Sequence, residues 1–146
     1  MEEEGKPCCG PDRFVRHAGD GSSFPMSQAV ACATCGIRHA FSTQRNFKVH
    51  AVFAALAVVL GFALRIPQPS WLAVILCIVA VFALETLNTA VESIVDLVSP
   101  EWNRLAMVAK DCAAGSVFLA AVGSLVVAAV VYLPPAIELA SSLAGA

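Results

Sequence analysis

Residues 70–98 read SWLAVILCIVAVFALETLNTAVESIVDLV, and this stretch decides the fold of the chain. Its first half is uncharged and apolar, whereas its second half contains Glu85, Asn88 and Glu92. An α-helix needs about 20 residues to cross roughly 30 Å of hydrocarbon. The uncharged half is too short for that, so a membrane-spanning helix here has to include the polar residues.

Four polar side chains form a stripe along this predicted helix: Glu85, Asn88, Glu92 and Asp96. Their spacing of three, four and four residues places them on one helix face. One carboxylate inside a bilayer costs at least about 2.5–3.5 kcal/mol on insertion scales. We therefore expect this polar stripe to face protein or water rather than lipid.

The composition of the whole chain indicates a small integral membrane protein. Of its 146 residues, 58% are hydrophobic and only 14% are charged. Typical soluble domains carry about 25% charged residues, and a chain of this length leaves much of its surface exposed. The net charge of −2 shows no excess of the basic residues that bind nucleic acid, so we expect no nucleic-acid partner.

Two further uncharged stretches predict two more spans, which makes the predicted fold class all-α with three transmembrane helices. An amphipathic stretch predicts an additional N-terminal helix over 27–47 that lies in the membrane interface. Ser99 is expected to cap a helical turn with Pro100 at its first position. The predicted organisation is a flexible cytoplasmic tail (1–26), a membrane domain (27–133) with spans at about 49–66, 70–98 and 110–133, and a short external tail (134–146) after Pro134-Pro135.

The basic residues predict the topology of the three spans. Six Lys and Arg residues precede the first span, one lies in the first loop, two lie in the second loop and none follows the third span. Basic residues accumulate on the cytoplasmic side of membrane proteins. We therefore expect a multi-pass protein with a cytoplasmic N-terminus.

Lys110 and Asp111 open the predicted third span, and a hairpin would bring them to Asp96 and Glu92 at the end of the polar stripe. Oxygen ligands of this kind suit Mg²⁺ together with phosphate groups, and a lysine is a natural point charge for a polyphosphate. Two alternatives stay open on spacing alone. Acidic stripes also serve proton or ion paths, and an acid–lysine pair can simply hold a helix hairpin together.

Several motifs resemble those of one enzyme family. The stretch ETLNTAVESIVD (85–96), followed by AKDCAAG (109–115), resembles the signature of the small bacterial membrane kinases of the diacylglycerol kinase family. The stretches VDLVSPEW (95–102) and RHAFSTQRNFKVH (38–50) more closely resemble its undecaprenol kinase branch. The resemblance covers about residues 27–133.

The resemblance implies a homotrimer whose active sites lie between subunits, at the cytoplasmic face of the bacterial cell membrane. Mg²⁺ and ATP would be used to phosphorylate a lipid alcohol. Undecaprenol is the substrate that the branch motifs imply, and diacylglycerol is the alternative within the same class. A small membrane protein without enzymatic activity, or one that conducts protons or ions, is the alternative from another class.

The resemblance also implies roles for the polar stripe. Glu85 matches the general base that takes the proton from the lipid hydroxyl. Glu92 matches the glutamate that holds Mg²⁺ against the nucleotide phosphates. Asn88 and Asp96 match polar residues that order the site.

Four residues outside the stripe are implied to contact the nucleotide or its metal. Lys110 and Asp111 match the nucleotide-contacting pair, and Glu101 lies in the connection that reaches the nucleotide. Gln44 stands where the family has a second metal-binding glutamate, and a neutral amide offers a carbonyl oxygen without the charge. His50 is expected to be an interfacial polar residue, with contact to a phosphate as the alternative.

Overall fold

The structure, a computed structural model, describes residues 26–145 and is all-helical over that range. Three of its helices are long and apolar enough to cross a membrane, which confirms the predicted fold class. The predicted flexible tail lies outside the described residues, except for Met26. The four helices are α1 (Met26–Thr43), α2 (Arg45–Ala63), α3 (Gln68–Val98) and α4 (Arg104–Ala144).

Helix α1 ends earlier than the sequence predicts. The hydroxyl groups of Ser42 and Thr43 both donate hydrogen bonds to the carbonyl oxygen of His39, at 2.9 and 2.8 Å. Such side-chain bonds compete with the backbone pairing of a helix. Gln44 then adopts an extended backbone (φ −91°, ψ 120°) and is the N-cap residue of α2. The prediction of one helix over 27–47 is therefore wrong at its C-terminal end.

A tight turn after α2 sends the chain directly into α3. The backbone N–H of Arg65 donates to the carbonyl of Phe62, and that of Ile66 donates to the carbonyl of Gly61. These two bonds form a Schellman motif, in which the residue after the helix is left-handed. Arg65 has that conformation, with φ 51°. Because the connection is so short, α2 and α3 are antiparallel neighbours.

Helix α4 begins at Arg104, six residues before the predicted start of the third span. Asn103 is its N-cap residue, and its Oδ1 accepts hydrogen bonds from the backbone N–H groups of Leu105 and Ala106. Ser99 instead ends α3, and Pro100 lies in the non-helical connection. The expected cap at Ser99 is wrong because no helical turn begins at Pro100, which lies outside both helices. The restriction that a proline places on the preceding residue instead fits the end of α3 at Val98.

The same helix continues through Pro134 and Pro135 to Ala144, beyond the predicted end of the third span at residue 133. Prolines remove backbone N–H donors, which would break most helices in water. In an apolar segment, helix remains the conformation that satisfies the surrounding backbone groups, and interior prolines are tolerated. The external location of residues 134–146 stays a prediction.

The core within residues 44–145 is narrow. Helix α3 packs mainly against α4 and to a lesser extent against α2. The buried apolar side chains include Phe47 and Val81, and the ring of Phe47 lies 4.8 Å from that of Phe82. Most large apolar side chains of the three long helices are exposed. That outward distribution of apolar side chains fits helices whose surroundings are lipid or other membrane helices.

Gly61 of α2 packs directly against Trp71 of α3 and Ile66 of the turn. A Cβ atom at this position would lie 2.8 Å from Cη2 of Trp71 and 3.2 Å from Cδ1 of Ile66. The Trp71 ring also packs on Phe62, with ring centroids 4.7 Å apart. The absence of a side chain at residue 61 therefore allows the two helices to meet beside their turn.

We predict that Gly61→Ala lowers the free energy of unfolding by about 1–3 kcal/mol, the usual cost of overpacking. Thermal unfolding in detergent micelles measures the effect. Gly123→Ala is the matched control, because a Cβ atom at that helical position has nothing within 4 Å. An unfolding temperature for Gly61→Ala at or above that of Gly123→Ala would contradict the packing described.

Candidate active site

Glu85 is the centre of a buried polar cluster on α3. Only 2% of its surface is exposed, and Asn88 and Thr89 beside it are also buried. The Thr89 hydroxyl donates to the Glu85 backbone carbonyl at 2.9 Å. This half of the polar stripe turns into the protein, as the cost of placing a carboxylate in lipid predicts.

Glu92 is joined to two amide side chains. Its Oε1 accepts a hydrogen bond from Nδ2 of Asn88, and its Oε2 accepts one from Nε2 of Gln44, both at 3.0 Å. Gln44 makes no side-chain bond to cap its own helix. The start of α2 is therefore attached to the polar face of α3 by a side chain that is 48 residues away in sequence. We call Gln44, Asn88 and Glu92 the amide clamp.

One oxygen of the amide clamp has no hydrogen-bond partner in the part of the chain that is described. Oδ1 of Asn88 is buried and unpaired. A buried carbonyl oxygen without a partner costs about 1–3 kcal/mol, and next to a carboxylate it is the type of ligand that Mg²⁺ accepts. Residues 26–145 contain no group of three or more His, Cys, Asp or Glu side chains that could hold a metal. A cation here would need amide oxygens and oxygens from outside the protein.

A small cavity of about 180 Å³ lies beside this cluster. Its polar walls are Glu85 and Asn88 from α3, together with Asn46 and His50 from α2. His50, which the sequence predicts to be an interfacial residue, lines this cavity, and Asn46 lines it as well although no motif singled it out. The i, i+4 spacing of Asn46 and His50 was the available signal, because it places both on one face of α2. The cavity has room for a small polar group within reach of a buried carboxylate.

The remaining predicted site residues lie near the connection between α3 and α4. Lys110 forms an ion pair with Asp96, so the predicted hairpin contact between these two residues is present. Asp111 and Glu101 are exposed and do not belong to the buried cluster. The structure thus brings together Glu85, Asn88, Glu92 and Gln44, and separately Asp96 and Lys110.

Comparisons with known proteins identify relatives of this chain. Residues 31–132 match the model of the family described as prokaryotic diacylglycerol kinase. A diacylglycerol kinase from Synechocystis sp. is 44% identical over 73% of this chain and 62% of its own length, so the match spans less than two thirds of that relative. An undecaprenol kinase from Bacillus subtilis is 39% identical over 68% of this chain and 80% of its own length. A diacylglycerol kinase from Escherichia coli is 31% identical over 58% and 70%, respectively.

We predict that the Asp96–Lys110 ion pair contributes less than about 1 kcal/mol to stability, because both side chains are substantially exposed to solvent. A double-mutant cycle of Asp96→Asn and Lys110→Met, followed by chemical unfolding in micelles, measures the coupling energy. A coupling energy of several kcal/mol would show instead that the pair holds the hairpin together.

Proposed function

We propose, since this chain belongs to the prokaryotic diacylglycerol kinase family, that it transfers the terminal phosphoryl group of ATP to the hydroxyl group of a membrane lipid alcohol. The observation that carries the proposal is that Glu85 is buried and lines a small cavity next to the amide clamp. A buried carboxylate with space beside it can accept a proton from a hydroxyl group placed in that space.

The proposed reaction is a single displacement at phosphorus. The oxygen of the lipid hydroxyl attacks the γ-phosphorus, the bond from that phosphorus to the β–γ bridging oxygen breaks, and ADP leaves. The proton of the hydroxyl passes to the carboxylate of Glu85 and from there to water. Phosphoryl transfer depends mainly on positioning and on neutralisation of charge, so one correctly placed carboxylate and a set of phosphate-binding groups can carry it.

The amide clamp fits a magnesium ion by the chemistry of its donors. Glu92 would supply the charged oxygen, the unpaired Oδ1 of Asn88 a carbonyl oxygen, and Gln44 a further amide oxygen. Mg²⁺ commonly uses one or two carboxylates and fills the other positions with water and phosphate oxygens. When bound, it would neutralise phosphate charge.

The nucleotide is proposed to lie toward the α3–α4 connection. Lys110 and Asp111 would contact it, Asp96 would orient the ammonium group of Lys110, and Glu101 would reach it from the connection. The Asp96–Lys110 ion pair supports this proposal because it holds a cation at the end of the polar stripe. We further propose a homotrimer in the bacterial cell membrane with its N-terminus in the cytoplasm.

Undecaprenol is the proposed lipid alcohol, and diacylglycerol is the second candidate. The motifs over 38–50 and 95–102 support the first, together with the relative from Bacillus subtilis, whose matched segment covers 80% of that protein. The 44% identity to the diacylglycerol kinase from Synechocystis sp. supports the second. Both substrates present one hydroxyl group at the membrane surface, so the chemistry at Glu85 would be the same.

We predict that Glu85→Gln abolishes phosphate transfer and leaves nucleotide affinity within about twofold, because it removes the proton acceptor alone. Glu92→Gln should abolish transfer and also weaken Mg²⁺-dependent nucleotide binding. Radiolabelled phosphate transfer and equilibrium nucleotide binding measure the two effects. Glu138→Gln, an exposed position far along α4, is the matched control. Near-normal turnover of Glu92→Gln would contradict the proposed metal site.

We predict that Gln44→Glu makes stability depend on Mg²⁺. The change replaces a donor at 3.0 Å from Glu92 by a second carboxylate, and two carboxylates at that distance repel each other. Without Mg²⁺, the variant should unfold at a lower temperature than the unmodified protein. Added Mg²⁺ should raise the unfolding temperature of the variant by more than it raises that of the unmodified protein. We also expect higher activity or a lower Mg²⁺ requirement.

Gln68→Glu is the matched control for this variant, because it makes the same change at an exposed position at the start of α3. Mg²⁺ should shift the unfolding temperature of Gln68→Glu by the same amount as that of the unmodified protein. The same small shift in Gln44→Glu would contradict the assignment of residue 44 to the metal site.

A further inference from the structure

A second and larger cavity lies between α2, α3 and α4. Its volume is about 420 Å³, and its walls include Phe53, Leu60, Val74, Val81 and Leu125. The volume is in the range of cavities that enclose small-molecule ligands. Part of the cavity is open to the outer surface of the helices. We call it the chain cavity.

The hydroxyl groups that line the chain cavity are already used by the backbone. Oγ of Ser124 donates to the carbonyl of Ala120, and the Tyr132 hydroxyl donates to the carbonyl of Ala57, both at 2.8 Å. Their donors are therefore not directed at an occupant. The remaining walls are almost entirely apolar, so an occupant of matching chemistry is a hydrocarbon.

The chain cavity adjoins the polar cavity at Glu85. His50 and Ala121 line both of them. From His50 the larger cavity follows α2 as far as Leu60, which is about 15 Å along a helix. Side by side, the two cavities place a carboxylate and an imidazole at one end and hydrocarbon walls along the rest. That polarity matches a molecule with one hydroxyl group and a long apolar chain.

We propose that the chain cavity holds the hydroxyl-proximal part of the hydrocarbon chain of the lipid alcohol, with the hydroxyl group between His50 and Glu85. This inference rests on the proposed function and specifies how its substrate is held. The rest of a long chain leaves through the open side into the membrane. His50 is a positioning residue at the junction of head group and chain.

The chain cavity acts by orienting the lipid alcohol and contributes little binding energy. A lipid chain already lies among hydrocarbon, so its transfer into the cavity gains little from the hydrophobic effect. Holding the first part of the chain fixes the position of the hydroxyl group relative to Glu85, and such fixing of geometry lowers a reaction barrier. Blocking the cavity should therefore reduce kcat/KM for long-chain alcohols much more than for short ones.

The first test is photolabelling of the unmodified full chain in nanodiscs. The probe is a long-chain primary alcohol with a diazirine on the hydroxyl-proximal part of its chain, and a phospholipid with a diazirine in its acyl chain is the comparison. We expect the alcohol to label residues of the chain cavity, such as Phe53 and Leu125, and excess undecaprenol to suppress that label. Equal labelling of the same residues by the phospholipid, or labelling spread over the exposed helix surface, would overturn the inference.

The second test compares Ala54→Phe with Ala55→Phe. Ala54 lines the chain cavity, whereas the adjacent Ala55 is exposed on the other side of α2. We expect Ala54→Phe to lower kcat/KM for a long-chain alcohol by about tenfold or more, the scale on which apolar pockets discriminate. The loss for a short-chain alcohol, and for Ala55→Phe with either alcohol, should be about twofold or less. Equal losses for both alcohols in Ala54→Phe would overturn the inference.

Failure of this inference can be distinguished from failure of the proposed function. Photolabelling requires binding but no phosphate transfer. Cavity-specific labelling without transfer by the unmodified chain would overturn the proposed function and retain the lipid-alcohol site. If the unmodified protein transfers phosphate but the probe does not label the chain cavity, the proposed function stands and the lipid-alcohol site in that cavity is overturned.

Discussion

The burial of one carboxylate in an apolar helix is the constraint on which the rest of the structure depends. Glu85 lies within α3, a helix long and apolar enough to span a membrane, and only 2% of its surface is exposed. Most large apolar side chains of the same helices are exposed, whereas the narrow core holds Glu85, Asn88 and Thr89 together with a few apolar side chains such as Phe47 and Val81. This distribution differs from that of a water-soluble domain, where exposed apolar side chains are fewer and acidic residues are almost never fully buried unless paired. Such an arrangement is costly in lipid and is characteristic of functional residues.

The amide clamp shows how the break between α1 and α2 contributes to the site. Gln44 can reach Glu92 because the chain is extended at that residue and begins a new helix at Arg45. A continuous helix through this region would direct its side chain differently. Because the residue is an amide, it satisfies Glu92 directly by donating a hydrogen bond, whereas a carboxylate at the same place would repel Glu92 unless a cation or a shared proton lay between the two.

The sequence was sufficient for the three long apolar helices and for the inward direction of Glu85 and Asn88 in the polar stripe, since hydrocarbon thickness and the cost of a charge in lipid determine both. It was insufficient at the helix ends. There, local bonds decide: the hydroxyls of Ser42 and Thr43 end α1, and Asn103 rather than Ser99 begins α4. The place of His50 beside Glu85 could not be predicted either, because it depends on how two helices pack and not on its neighbours in sequence. The motifs identified the family, and the structure added the Gln44–Glu92 contact.

The most direct test of the central claim, that this buried polar cluster serves phosphate transfer to a lipid alcohol, is an assay of the unmodified chain. Radiolabelled ATP and Mg²⁺ are supplied in micelles that contain undecaprenol or diacylglycerol, each offered separately, and labelled lipid is quantified. The account predicts labelled undecaprenyl phosphate, while label in diacylglycerol alone would keep the chemistry and change the substrate. No labelled lipid from either alcohol would contradict the account and favour an ion-conducting or structural role for the polar stripe.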